Sequence, residues 1–169
     1  MFTVRRARTA DVPALRAIAA PLVERRILLG KEWVESYAAV PEFRVAEDEH
    51  GRLIGFGALH VIWSDLGEIR TLAVADDWRG RGVGHALLAA LEDDAREYGL
   101  TRLFCLTFEV EFFSRNGFAD MGAETVDPEI YAELVRSSDE GVAEFLDLAR
   151  VKPNTLGNTR MIKHLGDAR

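Results

Sequence analysis

The chain has one cysteine among its 169 residues, Cys105. An intramolecular disulfide framework is therefore excluded, and the count suits a reducing compartment. No run of 18 apolar residues occurs, and the start Met1-Phe2-Thr3-Val4-Arg5-Arg6 lacks the apolar centre of a signal peptide. A cytoplasmic protein without membrane contact is expected. Basic residues are outnumbered, 21 Lys and Arg against 28 Asp and Glu, for a net charge of −7. That balance argues against nucleic acid as a partner, because a polyanion needs a basic footprint. Two common phosphate-binding strings are missing as well. No G-x-x-x-x-G-K-[ST] exists, and a dinucleotide fingerprint begun at Gly80 and Gly82 meets His85 where its third glycine should stand. The histidines His50, His60, His85 and His164 show no metal-ligand spacing, so no metal is expected. Neither a linker nor an internal repeat interrupts the composition, and a single domain over residues 1–169 is expected.

What the chain does contain is Arg79-Gly80-Arg81-Gly82-Val83-Gly84, set between two opposite periodicities. Before it, Gly67 to Val74 is apolar and β-branched enough for a buried strand. After it, Val83, Ala86, Leu87, Ala90, Leu91, Ala95 and Tyr98 recur at helical spacing. A glycine-rich turn that opens a helix leaves backbone N–H groups unpaired, and the helix dipole adds positive potential there. Two arginines at its rim complete an anion cradle, so a phosphorylated cofactor is expected at this turn.

The remaining elements follow the same logic. Thr3 to Arg6 reads as a strand, and Thr9 as the N-cap of a helix with Val12, Leu15, Ile18, Ala19 and Leu22 on one face, kinked or ended by Pro21. After Gly30 a short helix carries Trp33, Val34 and Tyr37. Strands are expected at Phe43 to Glu49 and Leu53 to Ile62 around a turn at His50-Gly51, and at Thr101 to Thr107. Gly99 suits the C-cap of the long helix, and a short helix spans about Phe112 to Asn116. The layout is α/β (α+β), helices packed on a largely antiparallel sheet. Cys105, between Phe104 and Leu106, is expected to be a core thiol. The acidic, partly apolar stretch Pro128 to Leu148 is a candidate homodimer interface, and core packing accounts for it equally.

Two strings carry a family likeness. Arg79-x-x-Gly82-x-Gly84 resembles the acyl-CoA motif of the GCN5-related N-acetyltransferases, and Phe112-Phe113-Ser114-Arg115-Asn116-Gly117-Phe118 resembles that family's later motif. The strings Gly67-Glu68-Ile69, Leu103 to Thr107 and Val151 to Met161 are further similar to the short amino-acid N-acetyltransferases of actinobacteria, which make N-acetylglutamate from glutamate or glutamine. The resemblance implies the acetyltransferase fold, a mixed and mostly antiparallel sheet with helices on both faces, and acetyl-CoA as co-substrate. It implies a loop, Arg79, Gly80, Arg81, Gly82, Val83 and Gly84, around the pyrophosphate. It also implies a strand segment, Leu72, Ala73 and Val74, along the pantetheine arm, with a backbone N–H near Leu72 or Ala73 facing the oxyanion.

Acetyl transfer to an amine also needs a proton acceptor. Glu68 is the candidate; alternation puts Arg70 on the same face, so a plain ion pair is the competing reading. Many relatives place a tyrosine acid where this chain has Phe113, which donates no proton; Ser114 and Tyr98 are the substitutes, with nothing favouring either. A carboxylate-bearing acceptor needs cations, and the expected substrate-binding set is Lys31, Arg70, Lys152 and Arg160, with Arg25 and Arg26 nearby in sequence and Thr107 offering a hydroxyl. Two other readings stay open: the same fold acting on a polyamine, a drug or a protein N-terminus, and an acyl-CoA sensor without turnover. Glutamate and glutamine are not separated at this level, nor is feedback by arginine decided.

Overall fold

A computed structural model describes residues 1–28, 30–147 and 157–166. Seven strands form one sheet: β1 (Phe2–Arg6), β2 (Phe43–Asp48), β3 (Leu53–Val61), β4 (Leu66–Val74), β5 (Arg102–Thr107), β6 (Ala119–Asp120) and β7 (Thr159–His164). Their order is β1-β2-β3-β4-β5-β7-β6. Only β4 and β5 are parallel; every other pair is antiparallel. The helices are α1 (Val12–Glu24), α2 (Trp33–Ala38), α3 (Val83–Glu97), α4 (Val110–Arg115), α5 (Pro128–Leu134) and α6 (Glu140–Phe145).

Strand alternation deals side chains to two apolar layers. On β5, Leu103 and Cys105 join Leu88, Leu91 and Ala95 of α3 and Phe113 of α4 on one face. Phe104, between them, joins Leu134 of α5 and Val142 and Phe145 of α6 on the other. On β2, Val45 faces Leu15 of α1, while Ala46 faces Val83 and Leu87 of α3. Helices thus cover both faces, as the family resemblance implies. The segment 128–147 lays its buried residues Leu134, Val142, Phe145 and Leu146 into the chain's own core, which decides that stretch in favour of core packing.

Two local expectations are corrected. Thr9 does not cap a helix; Thr9–Asp11 form one 3-10 turn, and α1 begins at Val12 with Pro13 in its first turn. Pro21 does not itself end the helix, which runs on to Glu24. A proline there removes one N–H from the ladder, the bond to the Ala17 carbonyl, and the helix continues only three residues beyond it.

The function-bearing departure from regularity is in β4. Its parallel pairing with β5 covers only Leu66↔Arg102, Gly67↔Leu103 and Glu68↔Phe104, after which no pairing links the two strands. They splay, and a cleft opens between them. On the other edge of β4 the register against β3 shifts between Phe56 and Ala58, so Thr71 and Leu72 together face Gly57. Thr71 takes φ 51, a left-handed conformation unusual for a β-branched residue. Gly57 lies opposite this bulge, where a Cβ would stand 2.8 Å from Leu72 Cδ1 and the leucine side chain would have to shift.

Candidate active site

The cleft between the splayed strands is a cavity of about 400 Å³. One wall is Thr71, Leu72, Ala73 and Val74 of β4; the other is Leu106 and Thr107 of β5; its mouth is Arg79, Gly80, Gly82, Val83 and Gly84. Gly82 is the N-cap of α3 at φ 82, with Gly80 at φ 74 just before it. Neither glycine has any heavy atom within 4 Å of where a Cβ would be, so the open space of the cavity begins at their backbones. Gly84 is closer packed, its Cβ position 3.4 Å from the Phe112 ring. This is the anatomy a pyrophosphate requires: spare N–H donors at the start of a 15-residue helix, and nothing between them and the ligand. The two arginines differ. Arg79 lines the mouth, loosely held by Glu109 at 3.4 Å. Arg81 lies over the Trp78 ring at 5.1 Å and does not line the cavity.

Glu68 is buried at the last position of β4 that pairs with β5, 8% exposed. Arg70 Nε donates to Glu68 Oε2 at 2.6 Å, and Arg70 Nη2 donates to Asp139 Oδ1 at 2.5 Å. Asp139 is the N-cap of α6, where the same oxygen accepts from Val142 N–H at 3.0 Å. His60, cross-strand from Glu68, links Asp139 (3.7 Å) to Glu42 (2.7 Å). Burial raises the Glu68 carboxyl above the ordinary range, with Arg70 opposing and Asp139 reinforcing that rise. Asp139 itself is held below its ordinary value, its hydrogen bond from Arg70 and that charge outweighing its own desolvation. The ion pair and the raised carboxyl therefore coexist: pairing with Arg70 lessens the effect of burial without cancelling it.

Asp139 and Gly141 carried no signal in the sequence, yet they form the roof of this group. A Cβ on Gly141 would overlap the Glu68 carboxylate and crowd the Arg70 guanidinium. Gly141→Ala is therefore expected to lift α6 from Glu68, at a cost of about 1–3 kcal/mol for overpacking. That corresponds to a fall of roughly 3–10 °C in Tm for a chain of this size. Calorimetry checks it, and an unchanged Tm would mean that α6 does not seat on Glu68.

The expected acceptor cations are dispersed. Arg70 is engaged by two carboxylates. Arg160, on β7, donates to Phe145 O at 3.3 Å and lies 3.8 Å from Asp147. Lys152 lies outside the described residues. Arg25 pairs with Asp76 on the surface, and Arg26 is exposed. Lys31 lines a second chamber, of about 450 Å³, together with Arg16, Ser36, Phe43, Phe56 and Thr71. Thr71 belongs to both cavities and is the partition between them. Thr107 lines the first cavity, its hydroxyl oxygen accepting from Glu109 N–H at 2.9 Å with its proton left to donate. Arg16 was not among the expected cations. The signal for it was an arginine inside the apolar stripe of α1, four residues after Val12 and three before Ala19.

Neither substitute acid lines the cleft. Ser114 is exposed on α4, and Tyr98 caps α3 at its far end, roughly 24 Å from Gly82 at about 1.5 Å per helical residue. Phe113 is 5% exposed and packed edge-on between Phe112 and Phe118. No tyrosine or cysteine is among the described residues that line the cleft. Cys105 is buried in the core, where desolvation and the nearby Glu68 push its thiol far up; it is no nucleophile. Among the described residues there is no cluster of metal-ligating side chains, and no helix is long and apolar enough to cross a membrane.

Comparison with known proteins bears on this arrangement directly. The family model described as "Acetyltransferase (GNAT) family" matches residues 17–118. An amino-acid acetyltransferase of Mycobacterium tuberculosis is 53% identical over 161 residues, covering 94% of this chain and 92% of that protein. A crystal structure from the same organism, in complex with CoA and NLQ, superposes with a TM-score of 0.90 at 52% identity, covering 96% of this chain and 98% of that one. N-acetylglutamate synthase from Neisseria gonorrhoeae, complexed with coenzyme A and N-acetyl-glutamate, matches with a TM-score of 0.75 at 28% identity; this chain spans 98% of its own length but 35% of that longer chain. The matched span takes in the splayed strands, the Arg79 to Gly84 turn and the Phe112 to Phe118 segment, and on these grounds the chain belongs to the GNAT acetyltransferase family.

Proposed function

We propose that the protein transfers the acetyl group of acetyl-CoA to the α-amino group of glutamate or glutamine. The observation that carries this reading is the cleft between β4 and β5, with glycine backbones at its mouth and a partition at Thr71 behind which lies a cation-lined chamber. The relatives support the choice of acceptor: one is named an amino-acid acetyltransferase, and another is a synthase holding N-acetyl-glutamate.

In this reading the pyrophosphate lies on the N–H groups of the Gly82 to Gly84 turn, and the pantetheine arm runs along Leu72 to Val74. The acceptor nitrogen attacks the thioester carbonyl, the C–S bond breaks, and the acetyl group passes to nitrogen. Backbone N–H near Leu72 or Ala73, turned by the bulge, meets the oxyanion. The proton lost by the amine goes to Glu68. Because Glu68 lines neither cavity, that transfer runs through water. A free thiol titrates near ~8.5, so the leaving sulfur departs as thiolate and takes its proton from solvent. A cationic acceptor such as a polyamine would meet Arg16 and Lys31 in the chamber, which disfavours it. A homodimer would have to use a face other than the apolar side of 128–147, since that side is buried in its own core. A cytoplasmic setting suits a chain whose one thiol stays reduced and buried.

The test is thiol release from acetyl-CoA across the twenty amino acids. Turnover concentrated on glutamate and glutamine is expected; turnover of polyamines or peptides but of neither amino acid would overturn the acceptor while leaving the coenzyme site standing.

A further inference from the structure

We infer that Arg16, aided by Lys31, binds a carboxylate of the acceptor in the chamber behind Thr71. The inference rests on the amino-acid acetyltransferase reading and adds a residue and a contact to it. Six arginines are half-buried among the described residues: Arg5, Arg16, Arg44, Arg70, Arg102 and Arg160. Five of them have a carboxylate partner: Asp11 and Glu47 for Arg5, Asp94 for Arg44, Glu68 and Asp139 for Arg70, Asp65 and Glu124 for Arg102, and Asp147 for Arg160. Arg16 has none. A guanidinium withdrawn from water without an anion is unfavourable, and the protein meets that cost everywhere else by pairing.

The way Arg16 is held leaves a binding edge open. Nη1 donates to the carbonyl oxygen of Lys31 and, at 3.2 Å, to Ser36 Oγ. The guanidinium plane rests on the Trp33 ring, 4.3 Å from its centroid. Nε and Nη2 donate to no described residue, and these two form the edge on which arginine accepts a carboxylate bidentately. One edge fixed by α2 and its preceding loop, one face supported by an indole, and one edge free is a preorganised anion receptor. Lys31 adds a second cation to the same chamber; Glu24 lines it too but pairs with neither. Apolar walls from Leu15, Phe43 and Phe56 give the chamber the character of an amino-acid pocket rather than an open charged surface. Thr71, common to chamber and cleft, is where the acceptor amine would pass toward the thioester.

The carboxylate could be the α-carboxylate or that of the side chain, and the experiment separates the two. KM is measured for glutamate, glutamine and their α-amides, in the parent and in Arg16→Ala and Arg16→Lys, with KM for acetyl-CoA and Tm recorded alongside. Arg16→Ala is expected to raise KM for glutamate about 10-fold or more, the effect of one lost charge-assisted contact. Acetyl-CoA KM should stay within about twofold. Arg16→Lys, which keeps the charge but loses the fork, should fall between. If Arg16 reads the α-carboxylate, the parent's preference for free acids over α-amides collapses in Arg16→Ala; if it reads the side chain, the distinction between glutamate and glutamine collapses. Either collapse supports the inference. Retention of both distinctions in folded Arg16→Ala, or a parallel rise in KM for acetyl-CoA, overturns it and leaves Arg16 as a staple between α1 and α2. If Arg16→Ala does not fold, Arg16→Lys carries the same comparison. A parent that acetylates neither amino acid would defeat the functional reading first, before any variant is compared.

Discussion

Glu68→Gln is expected to lower kcat by about 10²-fold or more at neutral pH, with the affinity for acetyl-CoA unchanged. The amide keeps the volume and one hydrogen bond of the carboxylate and removes its capacity to take a proton. Coenzyme affinity is spared because Glu68 lines neither cavity and lies behind α6. The same group should set the acid limb of the pH–rate profile. Burial raises its pKa, so activity, which needs the deprotonated form, should fall off at a pH above the ordinary carboxylate range as the medium is acidified. Four groups face Glu68: Arg70 on its own strand, Asp139 at the start of α6, His60 on β3 and Cys105 on β5. Two of these give shifts of opposite sign. Arg70→Gln removes the cation that favours the charged form, and the limb should move to higher pH. Asp139→Asn removes an anion yet keeps a competent N-cap, and the limb should move to lower pH. Movement of both limbs in the same direction, or a near-parental kcat in Glu68→Gln, would return Glu68 to a structural ion pair.

A linked consequence concerns stability. A carboxyl whose pKa is raised on folding holds its proton more tightly in the folded state. Its stabilising contribution is complete below the unfolded value, near ~4.3, and is lost as pH rises through the raised folded value. In Glu68→Gln that component should be absent from the pH dependence of Tm.

Gly82→Val is expected to lower thermal stability and to weaken coenzyme A binding by about 100-fold or more, for two separate reasons. A β-branched residue at φ 82 is strained by roughly 1–2 kcal/mol. Its side chain would also fill the space into which the pyrophosphate must settle, since nothing lies within 4 Å of that Cβ position. Gly99→Val is the control that separates these effects. Gly99 has φ 78 and equally open surroundings, but it sits at the opposite end of α3, away from the cleft. Both variants should lose comparable thermal stability; only Gly82→Val should lose the coenzyme. Binding by Gly82→Val as tight as the parent's in calorimetry would remove the turn from the coenzyme site.

Where the periodicity was strong, the chain announced its own fold. Strands β2 to β5 and helix α3 lie within a residue or two of where apolar runs and the 3.6-residue repeat place them, because the strands are buried over consecutive residues and α3 buries one apolar stripe. The two misreadings, Thr9 and Pro21, fall at the ends of α1, where a few hydrogen bonds separate one boundary from another. The glycine turn was equally legible, since φ 74 and φ 82 at Gly80 and Gly82 are a local demand that the residue type itself records.

The acceptor side was not legible, and the reason is distance along the chain. Glu68 and Arg70 are two residues apart, so their pairing could be foreseen, but Asp139 and Gly141 reach them across about seventy residues. Whether an arginine has an anion to pair with is likewise a question of what folds beside it, and composition is silent on it. In sequence Arg70 and Arg160 were as good as any cation for the substrate; the fold supplies Arg70 with two carboxylates and Arg160 with a distant one. Among the described residues it supplies Arg16 with none. The sequence by itself determined the strands, the long helix and the left-handed glycine turn, because each follows from local backbone preference and a continuous apolar pattern. Tertiary structure alone decided which charges are spent on one another and which remain for a ligand, because ion pairing depends on separations of a few ångströms between segments far apart in the chain.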